Sequence, residues 1–217
     1  MFVFSQEFIP FFDDMPNYLS ALSFISLLFV ASCTHIKDAG KYPWDELKEG
    51  DLAFRCGRGL FSRVVTASED DGSYSHVGIV VKKDGKWKVV HAVPGERDFR
   101  GDFDRVKMDD LEVFFGSDRS NRGCMVHTGL TETKKIESIC MEAIRLAHDS
   151  VLFDNDYDLE DSTMLYCSEM VWLLYKHAGI DLTEGRRRYI NVIHISGDVI
   201  LPEHIFRYSN NQPYFYY

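Results

Sequence analysis

Residues 75–82 and 86–93 are two β-rich runs joined through Asp84-Gly85, and no other stretch of the 217-residue chain constrains its fold as tightly. A two-residue Asp-Gly loop fixes the pairing of the strands it joins. With Lys83 facing Lys86, Gly78 falls opposite His91 and His76 opposite Val93. Side chains alternate faces along a strand, so His76 and His91 share a face. As diagonal neighbours they lie roughly 7–8 Å apart at the backbone and within reach at the rings. Gly78 leaves room for an imidazole.

Other elements follow from periodicity. Gly50-Asp51-Leu52-Ala53-Phe54-Arg55 reads as a turn feeding a strand, and residues 59–68 as a helix with Leu60, Val64 and Ala67 on one face. Short strands are expected at 105–108 and 124–127. Residues 131–148 predict a helix capped by Thr131, with an apolar stripe through Ile136, Ile139, Cys140, Ala143, Ile144 and Ala147. Residues 168–177 predict a second, with Gly179 as its stop. An edge strand at 192–195 and a turn after Pro202 complete the chain. This order predicts an α+β fold, a small antiparallel sheet with helices packed on one face.

The N-terminal region reads as an address. Residues 19–31 form an apolar run of signal-peptide length, too short for a comfortable membrane span. It ends in Val30-Ala31-Ser32-Cys33, which resembles a bacterial lipobox. The expected organisation is a lipoprotein-type signal peptide over 1–32, Cys33 as the lipid attachment site, a tether over 33–46, and one catalytic domain over 47–217. Such an anchor places the protein in the bacterial cell envelope, tethered to a membrane on its periplasmic or surface side. No Lys or Arg precedes the apolar run.

A net charge of −10 argues against a nucleic-acid partner. The basic triplet Arg186-Arg187-Arg188 reads either as a solvated loop or as a clamp for a substrate carboxylate or phosphate. The cysteines show no zinc-ligand spacing, so no structural metal is expected. Cys140 belongs to a core face. Cys56 and Cys124 have the option of pairing in an oxidising compartment.

Cys167 begins a helix in Tyr166-Cys167-Ser168-Glu169-Met170-Val171-Trp172. The positive end of a helix dipole favours a thiolate. His76 would be its base, with His91 holding His76 in the right tautomer. The same three side chains are also a possible zinc set. The relay is preferred because Cys167 sits where its thiolate is already favoured.

Gly50-Asp51-Leu52, Ser75-His76-Val77-Gly78-Ile79 and Tyr166-Cys167-Ser168-Glu169 together resemble the motif set of the YaeF/YiiX-like family. These are circularly permuted papain-like hydrolases of the NlpC type, and the match runs over residues 50–202. The resemblance implies a cysteine-bearing helix on a small antiparallel sheet that carries the histidine. It implies Cys167 as nucleophile, His76 as general base and no cofactor. The family's third polar position, often an acid, falls on His91, with Glu96 in reserve. Tyr166 matches an aromatic residue that shapes the substrate pocket, and Asp51 a structural turn.

The expected function is a cysteine amidase or peptidase cleaving an amide bond, with peptidoglycan stem peptides as substrate. One rival is a lipid acyl hydrolase or acyltransferase of the lecithin:retinol type, which the membrane tether, Phe114-Phe115 and the arginine triplet would suit. Another is a surface binding module with a dormant site. A long apolar groove would favour lipid, and a polar groove with a carboxylate clamp would favour peptide.

Overall fold

The computed structural model describes residues 42–58, 65, 74–192, 195–209 and 212–217, and residues 42–217 form one compact unit. The signal segment, Cys33 and, apart from residue 65, the helix expected at 59–68 lie outside the described residues.

Eight strands and four helices are described. The strands are β1 (Leu52–Gly57), β2 (His76–Lys83), β3 (Lys86–Val93), β4 (Arg105–Asp110), β5 (Ser120–Val126), β6 (Arg188–Val192), β7 (Ile195–Val199) and β8 (Pro213–Tyr216). The helices are α1 (Leu111–Phe114), α2 (Thr133–His148), α3 (Cys167–His177) and α4 (Pro202–Phe206). A six-stranded antiparallel sheet runs in the order β4-β3-β2-β1-β5-β8.

The β2–β3 hairpin has the register expected from its turn, with Lys83 opposite Lys86 and Ile79 opposite Val90. Asp84 (φ 52°) and Gly85 (φ 77°) are both left-handed, as a type I′ turn requires. Gly78 is needed for close approach. A Cβ there would lie 2.5 Å from Val89 Cγ1 and 3.0 Å from the His91 Cβ.

Both faces of the sheet are covered, where one was expected. Leu52, Phe54, Val77, Ile79, Val90 and Ala92 pack against α2 and α3 through Ile139, Ala143, Met170, Val171, Leu174 and Tyr175. On the other face Ala53, Val80, Val89 and Met125 meet Tyr42, Leu47 and the α1 residues Leu111 and Phe114. A four-residue helix is too short to show a period, which is why α1 escaped the sequence reading.

Three local expectations are corrected. Thr131 does not cap α2, which begins at Thr133 behind Glu132 without a side-chain cap. The edge strand expected at 192–195 is instead a β6–β7 hairpin forming its own two-stranded sheet. The edge of the main sheet beside β5 is taken by the aromatic C-terminal strand β8. The turn after Pro202 is the short helix α4, with proline in its first turn.

Candidate active site

Cys167 is the first residue of α3, and the side chains on either side of it are fastened to the backbone of one residue. The Ile200 N–H donates to the Tyr166 hydroxyl at 2.9 Å, and the Ser168 hydroxyl donates to the Ile200 carbonyl at 2.8 Å. The Glu169 carboxyl accepts the Tyr166 N–H at 3.3 Å, satisfying a donor at the helix start. Burial, with Asp154, Asp158 and Asp161 nearby, pushes that carboxyl up to about 8.

His76 opens β2, and His91 lies in β3. His76 Nε2 and His91 Nδ1 are 2.8 Å apart, with the rings edge to face, so the two imidazoles meet as the hairpin register predicted. His91 Nε2 lies 3.3 Å from Asp109 Oδ2 on β4. Arg119 Nη1 is 2.7 Å from the same carboxylate, and Lys107 Nζ is 3.3 Å from its other oxygen.

This chain of contacts fixes the tautomers. Burial works against charge on Asp109, but the His91 bond and the Lys107 and Arg119 cations outweigh it and hold the carboxyl well below its usual range. An ionised Asp109 accepts the proton on His91 Nε2. Burial holds His91 neutral, so its Nδ1 carries a lone pair and accepts from His76 Nε2–H. His76 is then left with its lone pair on Nδ1.

Glu96, the reserve third residue, does not touch His76. It pairs with Arg55 and with Arg119 Nη1, the latter at 3.2 Å. Asp109 was missed because the expected strand stopped at Met108. The long β3–β4 connection also gives no turn from which to fix the register. The signal was faint: once β4 pairs with β3, Lys107 stands opposite His91 and Asp109 shares its face.

Arg55 is almost wholly buried beside His76, its partner across β1 and β2. Its Nη1 donates to the Phe114 carbonyl at 2.7 Å, and its guanidinium lies 4.6 Å over the Phe114 ring. Arg55 Nε is the only buried side-chain polar atom among the described residues that lacks a partner.

His76 and Cys167 line one cavity of about 450 Å³. Strand alternation turns His76 toward the α1 side, whereas α3 packs on the other, and both residues border the cavity. The Val77 backbone reaches the thiol, and the Ser168 hydroxyl is 4.0 Å from it. The expectation of a thiolate favoured by the helix terminus is corrected here. Burial pushes the Cys167 thiol up, and the Val77 and Ser168 contacts only partly offset it. Burial, then Arg55 and His91, lowers His76. Both shifts favour a neutral thiol beside a neutral imidazole.

Tyr166 lines the cavity while its hydroxyl is held by Ile200. Asp51 is buried in a structural knot, accepting from Lys48 N–H at 3.0 Å and Tyr214 hydroxyl at 2.9 Å, with His127 Nδ1 3.0 Å away. Cys56, Cys124, Cys140 and Cys167 are all free thiols.

The two features that would suit lipid recognition are otherwise engaged. Phe114 and Phe115 are fully buried beneath the sheet. Each arginine of the 186–188 triplet has a partner: Arg186 pairs with Glu184, Arg187 lies 4.5 Å over the Trp172 ring, and Arg188 bonds Glu203 at 3.0 Å.

The sequence pattern of one protein family, described as permuted papain-like amidase enzyme, YaeF/YiiX, C92 family, matches residues 46–191. The chain belongs to this family. In this chain the strand that His76 opens precedes the helix that Cys167 begins. A similar solved structure is the metalloprotein YiiX of Escherichia coli O157:H7, at 20% identity and a TM-score of 0.58, covering 73% of this chain and 91% of that one. That likeness carries the fold. No curated protein matches the chain. The YaeF/YiiX membership makes this an amidase-type hydrolase of permuted papain-like architecture. The metal in that title is a property of YiiX. Among the described residues no three His, Cys, Asp or Glu side chains group as ligands, and His76 and His91 turn ring nitrogens on each other.

Proposed function

We propose that the protein is a cysteine amidase in which Cys167 is the nucleophile and His76 the general base. The observation that carries this is the shared cavity, with the Asp109–His91–His76 chain leaving the His76 Nδ1 lone pair for the thiol.

His76 Nδ1 takes the thiol proton as sulfur attacks the amide carbonyl, since the pair rests uncharged. The Cys167 N–H, in the first turn of α3 where helix amides have no intrahelical acceptor, donates to the oxyanion. As the C–N bond breaks, His76 returns the proton to the departing amine, leaving a thioester on Cys167. Water then loses a proton to His76 and attacks the thioester. The carboxylic acid leaves and sulfur regains the proton. His91 holds the His76 ring, and Asp109 holds His91. Tyr166 shapes the wall beside the thiol.

The substrate we propose is a peptide of the bacterial cell wall. Lipidation at Cys33 would hold the enzyme on a membrane of the envelope, next to that polymer. The cavity wall supports a polar substrate better than a long acyl chain, since Arg55, Arg58, Arg97 and Arg119 all line it. Incubation with peptidoglycan fragments and with phospholipid, wild type against Cys167→Ser, tests this by mass spectrometry. Cysteine-dependent cleavage of the peptides alone is expected. Cleavage of phospholipid alone would overturn the substrate, and cleavage by Cys167→Ser would overturn the nucleophile.

A further inference from the structure

We infer that the substrate carries a carboxylate close to the scissile amide, and that Arg58 and Arg97 receive it. The inference rests on the amidase reading and names the substrate class of the same cavity.

Among the described residues four arginines line this cavity, but two are already engaged. Arg55 donates to the Phe114 carbonyl and pairs with Glu96. Arg119 pairs with Asp109 at 2.7 Å and with Glu96 at 3.2 Å. Arg58, just past β1, and Arg97, in the β3–β4 connection, are exposed and have no hydrogen bond or ion pair among the described residues. Among the described residues two acids line the cavity: Glu96, shared by two arginines, and Asp118, which lies 3.9 Å from Arg119 and is 82% exposed.

Among the described residues the mouth therefore holds uncompensated positive charge, on a chain whose net charge is −10. An isolated surface arginine is ordinarily just solvated. Here two, from separate segments, border the cavity that also holds Cys167 and His76. A guanidinium binds a carboxylate through two parallel N–H donors, fixing orientation as well as charge. The apolar side of the cavity, formed by Phe153, Tyr157, Leu201 and Pro202, is left for an uncharged part of the substrate.

Alkylation of Cys167 by iodoacetate and by iodoacetamide tests this, because the two reagents differ chiefly in charge. The rate ratio, normalised to that of N-acetylcysteine, is expected to favour iodoacetate by roughly ten-fold at low salt. It should fall toward one in the Arg58→Gln/Arg97→Gln double variant and in about 0.5 M salt. A ratio equal to that of the free thiol, or unmoved by the double variant, would overturn the inference.

Should neither reagent reach the thiol, calorimetry on Cys167→Ser with N-acetyl-alanyl-glutamate and its diamide decides. Tighter binding of the dicarboxylate supports the inference, and equal or absent binding overturns it. A charge preference without amide hydrolysis would instead leave the anion site standing and remove the amidase reading.

Discussion

Two Asp–His pairs are built into the same sheet, and they differ in where the second imidazole nitrogen leads. Asp51 and His127 join the start of β1 to the end of β5 and to Tyr214, on whose ring His127 stacks at 4.0 Å. His127 is half-exposed, and its contacts end in packing. Asp109 and His91 are buried, and His91 passes its other nitrogen to His76 at the cavity. The carboxyls respond oppositely. Burial raises Asp51 despite its partners, whereas the cations around Asp109 overcome burial and lower it. An Asp–His contact therefore says little by itself. What distinguishes the second pair is the group beyond the histidine.

Substitutions can break that distinction. The largest effect is expected at the nucleophile and base, where Cys167→Ser and His76→Ala should each lower kcat by on the order of 10³-fold with the fold retained by circular dichroism. Asp109→Asn should cost on the order of 10²-fold in kcat. An amide N–H turned toward His91 Nε2 reverses the proton order and places the His76 proton on Nδ1. Asp51→Asn should leave kcat unchanged and lower unfolding free energy by about 1 kcal/mol, read by denaturant melts. If Asp51→Asn lowers kcat as far as Asp109→Asn, the comparison fails.

The pH profile sharpens the same contrast. His76 acts as base only when neutral, and its pKa lies below the ordinary 6.5, so kcat/KM should hold below that pH. Asp109 raises the pKa of His91, which is hydrogen-bonded to His76, so removing it should move the acid limb of the coupled pair to lower pH still. The stability effects have opposite signs. Asp109 is depressed, so its stabilisation is present above the ordinary carboxyl value and lost as pH falls through the folded value. Asp51 is raised, so its ionised form costs stability at neutral pH and acid relieves that cost. A melting profile of the Asp109→Asn variant flatter in acid than wild type is expected.

A smaller, purely steric prediction concerns Gly78. An alanine Cβ would lie 2.8 Å from the Val90 carbonyl oxygen as well as against Val89 and His91. Gly78→Ala should cost about 2 kcal/mol in thermal or denaturant unfolding.

The hairpin, the two long helices and the pairing of His76 with His91 were legible because each rests on a local rule. Asp84-Gly85 fixed a register, and the α2 stripe fixed a face. The covering of the second sheet face was not legible, since α1 and β8 are short and are held by contacts with distant segments. Asp109 depended on a strand register that no tight turn sets. The thiol's direction was misread because helix position is visible in sequence while burial is not, and burial dominates. Similarly, the partners of Arg186, Arg187 and Arg188 appear only once Glu184, Trp172 and Glu203 are placed beside them.

Rapid-quench mass spectrometry of the wild-type protein turning over a peptide amide tests the central claim most directly. The account predicts a transient acyl adduct on the peptide containing residue 167, absent in Cys167→Ser and strongly reduced in His76→Ala. Undiminished hydrolysis by Cys167→Ser, or an adduct confined to another residue, would contradict it.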